Sequence, residues 1–245
     1  MTELRQELLL ALYSTFEQWL AAHSLPFVCQ PGCATCCTRK VTMTAVEAAL
    51  IRRFISASGQ SRPAATAEGA TAPPLVTETT NELAARCLHG TEALAPVVEE
   101  QGEAGVCPYL ADARCQIYEV RPFACRSFAS LQKCRPGEAD QLPQFYLTAV
   151  TAAQQLIEHV GQGGSWGNMH DLLLFLADAG EKRENGESPF AAAIKEQART
   201  RLRRARPLPG FLIGAEEYER VRPFIEHFFN KKIGGNRVED ILNGK

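Results

Sequence analysis

The stretch CQPGCATCC, residues 29–37, places four cysteines in nine positions between two segments of helical pattern. Cys29, Cys33 and Cys36 follow the spacing C-x3-C-x2-C, which lets a tight loop direct several sulfurs toward one point. Cys37 directly follows Cys36, and two adjacent side chains cannot easily point the same way. The stretch is therefore compatible with one metal site, with two neighbouring sites, or with disulfides.

An amphipathic helix is predicted before the cysteines. Large apolar side chains recur there at every fourth position: Leu4, Leu8, Leu12, Phe16 and Leu20. This period places them on one face of a helix, with Trp19 beside them. Pro26 disfavours helical conformation in the residue that precedes it, so the helix is expected to end nearby.

A second helix is predicted just after the cysteines. Thr44 and Glu47 have the S/T-x-x-E spacing of a capping box, in which each residue satisfies a backbone N–H of the other. Ala48, Ile51 and Ile55 continue an apolar face beyond this box. The cysteine stretch is thus expected to be a loop between two helices.

Most of the remaining chain also carries helical patterns. One helix is predicted at TNELAARCLHG, and four more at QFYLTAVTAAQQLIEHV, NMHDLLLFLADA, PFAAAIKEQARTRLRR and EEYERVRPFIEHFF. No convincing alternating strand and no repeat is expected. The predicted fold class is mainly α: a helical domain with irregular, cysteine-rich, metal-binding loops.

This helical context bears on the spacing of the first three cysteines. Radical-SAM enzymes use the same C-x3-C-x2-C spacing, but their loop follows the first strand of a barrel-like array of strands and helices. Here an amphipathic helix precedes the loop and helices follow it. A spacing without its structural context is weak evidence, so the radical-SAM interpretation is not favoured.

The pattern divides the chain into two predicted parts. Residues 1–142 are expected to form a cysteine-cluster metal-binding domain, and residues 143–245 a helical C-terminal region packed on it. Within the first part, residues 58–80 are rich in Ala, Thr, Pro and Gly and poor in large apolar side chains. We therefore expect them to form a mobile surface loop.

Charge and composition limit the partners. The chain of 245 residues has a formal net charge of −2, whereas proteins that bind nucleic acid or anionic membranes usually carry a basic excess. Glu3, Glu7 and Glu17 interrupt the N-terminal apolar residues, so this segment is not expected to be a signal peptide. A cytoplasmic protein without nucleic-acid or membrane partners is predicted. Its nine cysteines are then expected to bind metal rather than form disulfides.

A second group of cysteines lies about seventy residues after the first. The candidate ligands are therefore eight, in two groups of four: Cys29, Cys33, Cys36 and Cys37, then Cys107, Cys115, Cys125 and Cys134. Four thiolates can hold one zinc ion or one iron–sulfur cluster, and the spacing leaves both open. Cys87 stands alone in a helical pattern and is expected to be a small buried hydrophobic residue.

Charged residues accompany the second group. Arg126 follows Cys125, and Arg121 lies about one helical turn earlier. One or both arginines are expected to support the sulfurs, or to pair with Glu119, because thiolates need nearby donors and cations. In the alternative interpretation, the Arg121–Pro122 pair only begins a short helix and the arginine is exposed.

Together these motifs resemble the YkgJ-like CxxCxxCC family of zinc- or iron-chelating cysteine-cluster domains. The resemblance rests on CQPGCATCC, on VTMTAVEA after it, on CPYL and CQIYEVRPFACRSF, and on the later KC at Cys134. It covers residues 29–134. The family usually opens with C-x2-C, whereas three residues separate Cys29 from Cys33 here.

The resemblance implies metal chelation. The predicted function is a metal-chelating protein that binds an iron–sulfur cluster or zinc through its two cysteine groups, with a structural role as one possibility. The alternative is an enzyme: an iron–sulfur oxidoreductase or electron-transfer protein, or an enzyme associated with protein methylation, since one branch of the family is linked to flagellin lysine methylation. The sequence does not decide between these classes.

Two other segments, one basic and one rich in glycine, are not expected to be functional sites. The basic run RTRLRRAR, residues 199–206, is expected to be a solvated helix face rather than a site for an acidic partner. The segment GQGGSWG is rich in glycine but lacks the Lys-Ser/Thr pair of a phosphate-binding loop.

Overall fold

The computed structural model describes residues 2–30, 32–38, 40–59, 77–90, 105–134, 142–176 and 189–244. Of the predicted mobile loop at residues 58–80, positions 60–76 lie outside these ranges.

The fold is mainly α-helical, as predicted. Its helices are α1 (Thr2–His23), α2 (Ala45–Ser58), α3 (Thr80–His89), α4 (Phe123–Ser127), α5 (Gln144–Val160), α6 (Met169–Phe175), α7 (Pro189–Thr200), α8 (Ala215–Asn230) and α9 (Val238–Leu242), with a 3-10 turn at Tyr118–Val120. None of these helices is long and apolar enough to cross a membrane.

Short strands accompany the helices, which the sequence pattern did not predict. They are β1 (Thr42–Thr44), β2 (Leu110–Ala111), β3 (Arg114–Cys115), β4 (Ser165–Asn168), β5 (Arg203–Arg204), β6 (Lys232–Ile233) and β7 (Asn236–Arg237). Strands β1, β4 and β5 form an antiparallel sheet in the order β1-β4-β5, and two hairpins pair β2 with β3 and β6 with β7. Strands of two to four residues are too short to show alternation in a sequence.

Helix α1 lies in the main core. Leu8, Leu12 and Phe16 are buried as predicted, but Leu4 is 40% exposed at the end of the helix. The Phe16 ring meets the edge of Phe123 on α4 at a centroid distance of 5.0 Å. This core also contains buried side chains of α5 and α8. Residues on both sides of position 142 therefore pack together, while the domain division itself stays a prediction.

Glu47 connects the elements around the cysteines. Its side chain completes the predicted capping box of α2, since its carboxylate accepts from the backbone N–H of Thr44 at 2.7 Å. The same carboxylate accepts from the hydroxyl of Tyr13 on α1 at 2.7 Å and from the backbone N–H of Phe123 at 2.9 Å. A buried carboxylate with several donors is costly to disturb, so this contact holds α4 in place. Helix α4 carries Cys125.

The basic run at residues 199–206 is not a solvated helix face, which corrects the prediction. Helix α7 ends at Thr200, and three of the arginines beyond it form ion pairs within the chain. Arg201 contacts Asp171 at 2.9 Å, and Glu82 on α3 receives both Arg203 at 2.9 Å and Arg206 at 2.8 Å. These pairs tie the segment to α3 and α6.

Candidate metal centre

Both groups of cysteines reach the same cavity. It has a volume of about 240 Å³. Seven of the eight predicted ligands line it: Cys29, Cys33, Cys36, Cys37, Cys107, Cys115 and Cys125. The fold therefore joins thiols that are up to 96 positions apart in the chain, Cys29 and Cys125 being the outermost pair.

Two cysteines lie outside this cavity. Cys134, the eighth predicted ligand, is half-buried but does not line it. Cys87, which was expected to be buried, is instead exposed on α3. The buried positions of this helix are taken by Asn81 and Ala84, and Cys87 lies in its exposed last turn.

The first cysteine loop is built from local turns. Gly32 adopts a φ of +94°, a left-handed conformation that favours glycine, between Cys29 and Cys33. The backbone N–H of Cys33 donates to the carbonyl of Gln30 at 3.0 Å, and that of Cys37 to Ala34 at 3.0 Å. These turns bring three exposed thiols to the mouth of the cavity.

Short stretches of backbone pairing bring the second group of cysteines next to the first group. The N–H of Cys107 donates to the carbonyl of Cys37 at 3.0 Å, beside an antiparallel bridge between Thr38 and Val106. The chain then turns at LADARC, as predicted, so that the hairpin of β2 and β3 pairs Leu110 with Cys115. Cys37, Cys107 and Cys115 are therefore held by backbone pairing.

The thiols raise one another's pKa. Although Cys36 is exposed as a residue, partial burial in the cavity raises the pKa of its thiol to about 11, and the neighbouring thiols of Cys37, Cys33 and Cys29 add to this. Burial is also the main cause that raises the pKa of the Cys37 thiol, and the thiols of Cys107 and Cys115 raise it further. So many thiolates cannot be ionised together without a cation among them.

The thiol of Cys125 also has a raised pKa. Burial is the largest cause, and the thiols of Cys107 and Cys115 raise the pKa further, whereas the guanidinium of Arg121 lowers it. Arg121 also lines the cavity, stacked 4.0 Å from the ring centroid of Tyr118, and its buried Nε has no hydrogen-bond partner among the described residues. Arg121 thus places positive charge beside a thiol.

Arg126 acts mainly on the backbone. Its guanidinium donates to the carbonyl of Arg121 at 3.0 Å and to the carbonyl of Glu119. The carboxylate that it pairs with belongs to Glu17 on α1, at 3.1 Å, and not to Glu119. The Glu17 contact could not be found from sequence, because it joins residues 109 positions apart. Arg126 therefore holds the turn that precedes α4.

Apolar side chains form much of the remaining cavity wall, and sequence reasoning did not find them. They include Leu20, Phe27, Val41, Ile117, Tyr146 and Met169. The rings of Phe27 and Tyr146 lie 5.2 Å apart. Burial raises the pKa of Tyr146 to about 12, and the thiol of Cys29 contributes. The only signal in the sequence was the position of Phe27 two residues before Cys29.

The donor set fits a thiophilic metal, because thiolates select zinc and iron–sulfur clusters. The sulfurs share the cavity without standing at ligand geometry: within the part of the chain that the structure describes, no three side chains of His, Cys, Asp or Glu are grouped closely enough to hold a metal ion. Binding would require the loops to draw the sulfurs together.

Comparison with known proteins agrees with the cysteine pattern. Residues 28–145 match the family model described as "CxxCxxCC: Putative zinc- or iron-chelating domain". This match covers just under half of the chain. The CxxCxxCC match contains both cysteine groups and ends within α5, which confirms the resemblance seen in the sequence. No curated protein and no solved structure matches the chain.

Proposed function

We propose that this protein chelates zinc or iron through the thiolates that line the cavity of its CxxCxxCC domain. One observation carries the proposal: seven cysteines from two distant parts of the chain line one cavity. Cysteine side chains that only filled space would not collect in this way. The mutual increase in thiol pKa also supports metal binding, because a bound cation would let the thiols ionise together.

The number of thiols favours more than a single ion. One zinc ion or one iron–sulfur cluster takes four thiolates, and the cavity offers seven. When bound, the metal supplies crosslinks between the first loop and the segments at residues 107–125. Such a crosslink closes a long stretch of chain and contributes directly to folding free energy.

An enzyme remains the second candidate, and the cavity wall is the observation that favours it. The aromatic side chains of Phe27 and Tyr146 stand beside the thiols, and Cys29, Cys33 and Cys36 are exposed. A purely structural metal site is usually closed, whereas catalytic sites keep an open position. Saturable binding of S-adenosylmethionine or of a redox partner at one equivalent is the minimum result that this candidate requires.

Metal analysis of protein purified without oxygen tests the proposal. A broad absorbance near ~400 nm with stoichiometric iron and acid-labile sulfide is expected of an iron–sulfur cluster, and a colourless protein with stoichiometric zinc is expected of zinc thiolates. Cys125→Ser should lose metal, while the matched variant Cys87→Ser, outside the cavity, should retain it. Wild-type protein that holds no metal, whether it is supplied with iron or with zinc, would overturn the proposal.

A further inference from the structure

We propose that the seven thiols form two unequal metal centres: an inner one held by Cys37, Cys107, Cys115 and Cys125, and an outer one held by Cys29, Cys33 and Cys36 with an exchangeable fourth position. This inference rests on the proposed function. It differs from the division by chain position, because Cys37 leaves the first group and Cys134 is not a ligand.

Exposure separates the two sets. Cys29, Cys33 and Cys36 are exposed, whereas the four thiols assigned to the inner centre are all half-buried. Cys36 and Cys37 are neighbours in the chain yet fall on opposite sides of this division. The difference in exposure therefore assigns these two adjacent thiols to different centres.

The backbone separates the same two sets. Cys37 and Cys107 are joined by a direct hydrogen bond at 3.0 Å, and the β2–β3 hairpin holds Cys115. Cys125 lies on α4, whose first residue is anchored by Glu47. The outer thiols instead lie on a loop of local turns, which is tied to the neighbouring segment by the N–H of Val28 donating to Ser130 at 2.9 Å.

Thiol contacts run within the two sets and also between them. Cys107 and Cys115 are the thiols that act most strongly on Cys37 and on Cys125, and Cys33 and Cys29 act on Cys36. Cys36 also contacts Cys37 and acts on Cys125, so the two centres would lie side by side in one cavity.

The two sets have different chemistry. Four thiolates complete the tetrahedron of a zinc-like ion and leave no position for another ligand. Three thiolates leave one position open, and the aromatic pair Phe27 and Tyr146 lines the same cavity. Phe27 lies two residues before Cys29 and its ring contacts that of Tyr146, so this wall adjoins the outer set. The open position therefore suits a small soft donor with an apolar body, such as an organic thiolate.

Stepwise removal of metal from wild-type protein tests the division without any variant. Zinc-loaded protein is titrated with a chelator, pulsed with iodoacetamide, and digested for peptide mass spectrometry. The first metal equivalent released should coincide with alkylation of Cys29, Cys33 and Cys36, and the second with the four inner thiols. Cys134 should be alkylated to the same extent with and without zinc. Cys87, exposed on α3, serves as the internal control.

The outcomes separate this inference from the proposed function. Wild-type protein that takes up no zinc overturns both. Zinc bound and released in one step, with all seven thiols exposed together, overturns only the two-centre division, as does protection of Cys134 by zinc. Release in two steps with the predicted peptides supports it.

Cobalt-substituted protein tests the open position. Addition of benzyl mercaptan to the protein with two Co(II) equivalents should change the visible spectrum, and the change should saturate at one equivalent of thiol. The variant Cys33→Ser, in which the outer set is disrupted, should retain one Co(II) and should not show this change. An unchanged wild-type spectrum would show that the outer centre has no exchangeable position and would overturn that part of the inference.

Discussion

At the scale of single residues, the adjacent Cys36 and Cys37 are the most informative pair. Their peptide lies where the first loop meets the backbone hydrogen bond from Cys107 to Cys37, and both thiols line the cavity. The thiol neighbours of Cys36 lie in its own loop, whereas those of Cys37 include Cys107 and Cys115, seventy or more residues away, which the sequence alone could not show.

Metal binding should release protons. Because the pKa of Cys36 is raised to about 11 and that of Cys37 is also raised, both thiols are protonated at neutral pH and must lose protons to become ligands. Apparent affinity should therefore rise as pH rises, about tenfold per pH unit for each proton released. Calorimetric titration in two buffers of different ionisation enthalpy counts these protons, and equal heats in the two buffers would contradict the expectation.

Replacing Arg121 should weaken the metal centre. Its guanidinium lowers the pKa of the Cys125 thiol and so favours the thiolate. Arg121→Ala is expected to reduce metal affinity by ~10–100-fold, the usual effect of removing a residue that supports a metal ligand. Arg114→Ala is the matched control, since Arg114 is exposed and does not line the cavity. Competition with a chromophoric chelator measures both, and equal affinities would leave Arg121 with no role toward the metal.

At the scale of elements, long periodic helices could be predicted and short elements could not. The 17 residues of α5 coincide with the predicted segment, and the Thr44–Glu47 capping box was visible from its spacing. The strands β1 and β4 depend on pairing between residues more than a hundred positions apart, which leaves no local pattern. Glu47 also accepts a hydrogen bond from the backbone N–H of Phe123, and this contact between distant residues leaves no local pattern either.

Glu47 should stabilise the fold more than its capping role suggests. Glu47→Ala leaves the buried donors of Tyr13 and Phe123 without their acceptor, at a cost of about 1–3 kcal/mol for each unsatisfied group. Denaturant unfolding should show a loss of about 3 kcal/mol or more, against less than about 0.5 kcal/mol for Glu7→Ala on the exposed face of α1. A loss of only about 1 kcal/mol would mean that Glu47 acts as a helix cap alone.

At the scale of the whole molecule, the cavity lies where two cysteine segments meet a core shared by α1, α5 and α8. The apolar periodicity predicted a helical protein, and the eight spaced thiols predicted metal chemistry. The sequence could not show that Cys134 stays outside the cavity or that apolar residues complete its wall, because both depend on how the segments fold together.

Removing metal should lower thermal stability. A ligand that binds only the folded state at a thousand times its dissociation constant stabilises it by about 4 kcal/mol. Added chelator should therefore lower the melting temperature of wild-type protein by several degrees, and much less for Cys125→Ser, which is expected to hold less metal. Differential scanning calorimetry compares the two proteins. Equal shifts in melting temperature would mean that the chelator does not act on metal held in the cavity.

The central claim is that cavity thiolates hold the metal, and X-ray absorption at the metal edge tests it most directly. The account predicts a first coordination shell made of sulfur, at about 2.3 Å for zinc. Cys87→Ser should leave this shell unchanged, and Cys125→Ser should lower its sulfur count. A first shell dominated by nitrogen or oxygen in the wild-type protein would contradict the account.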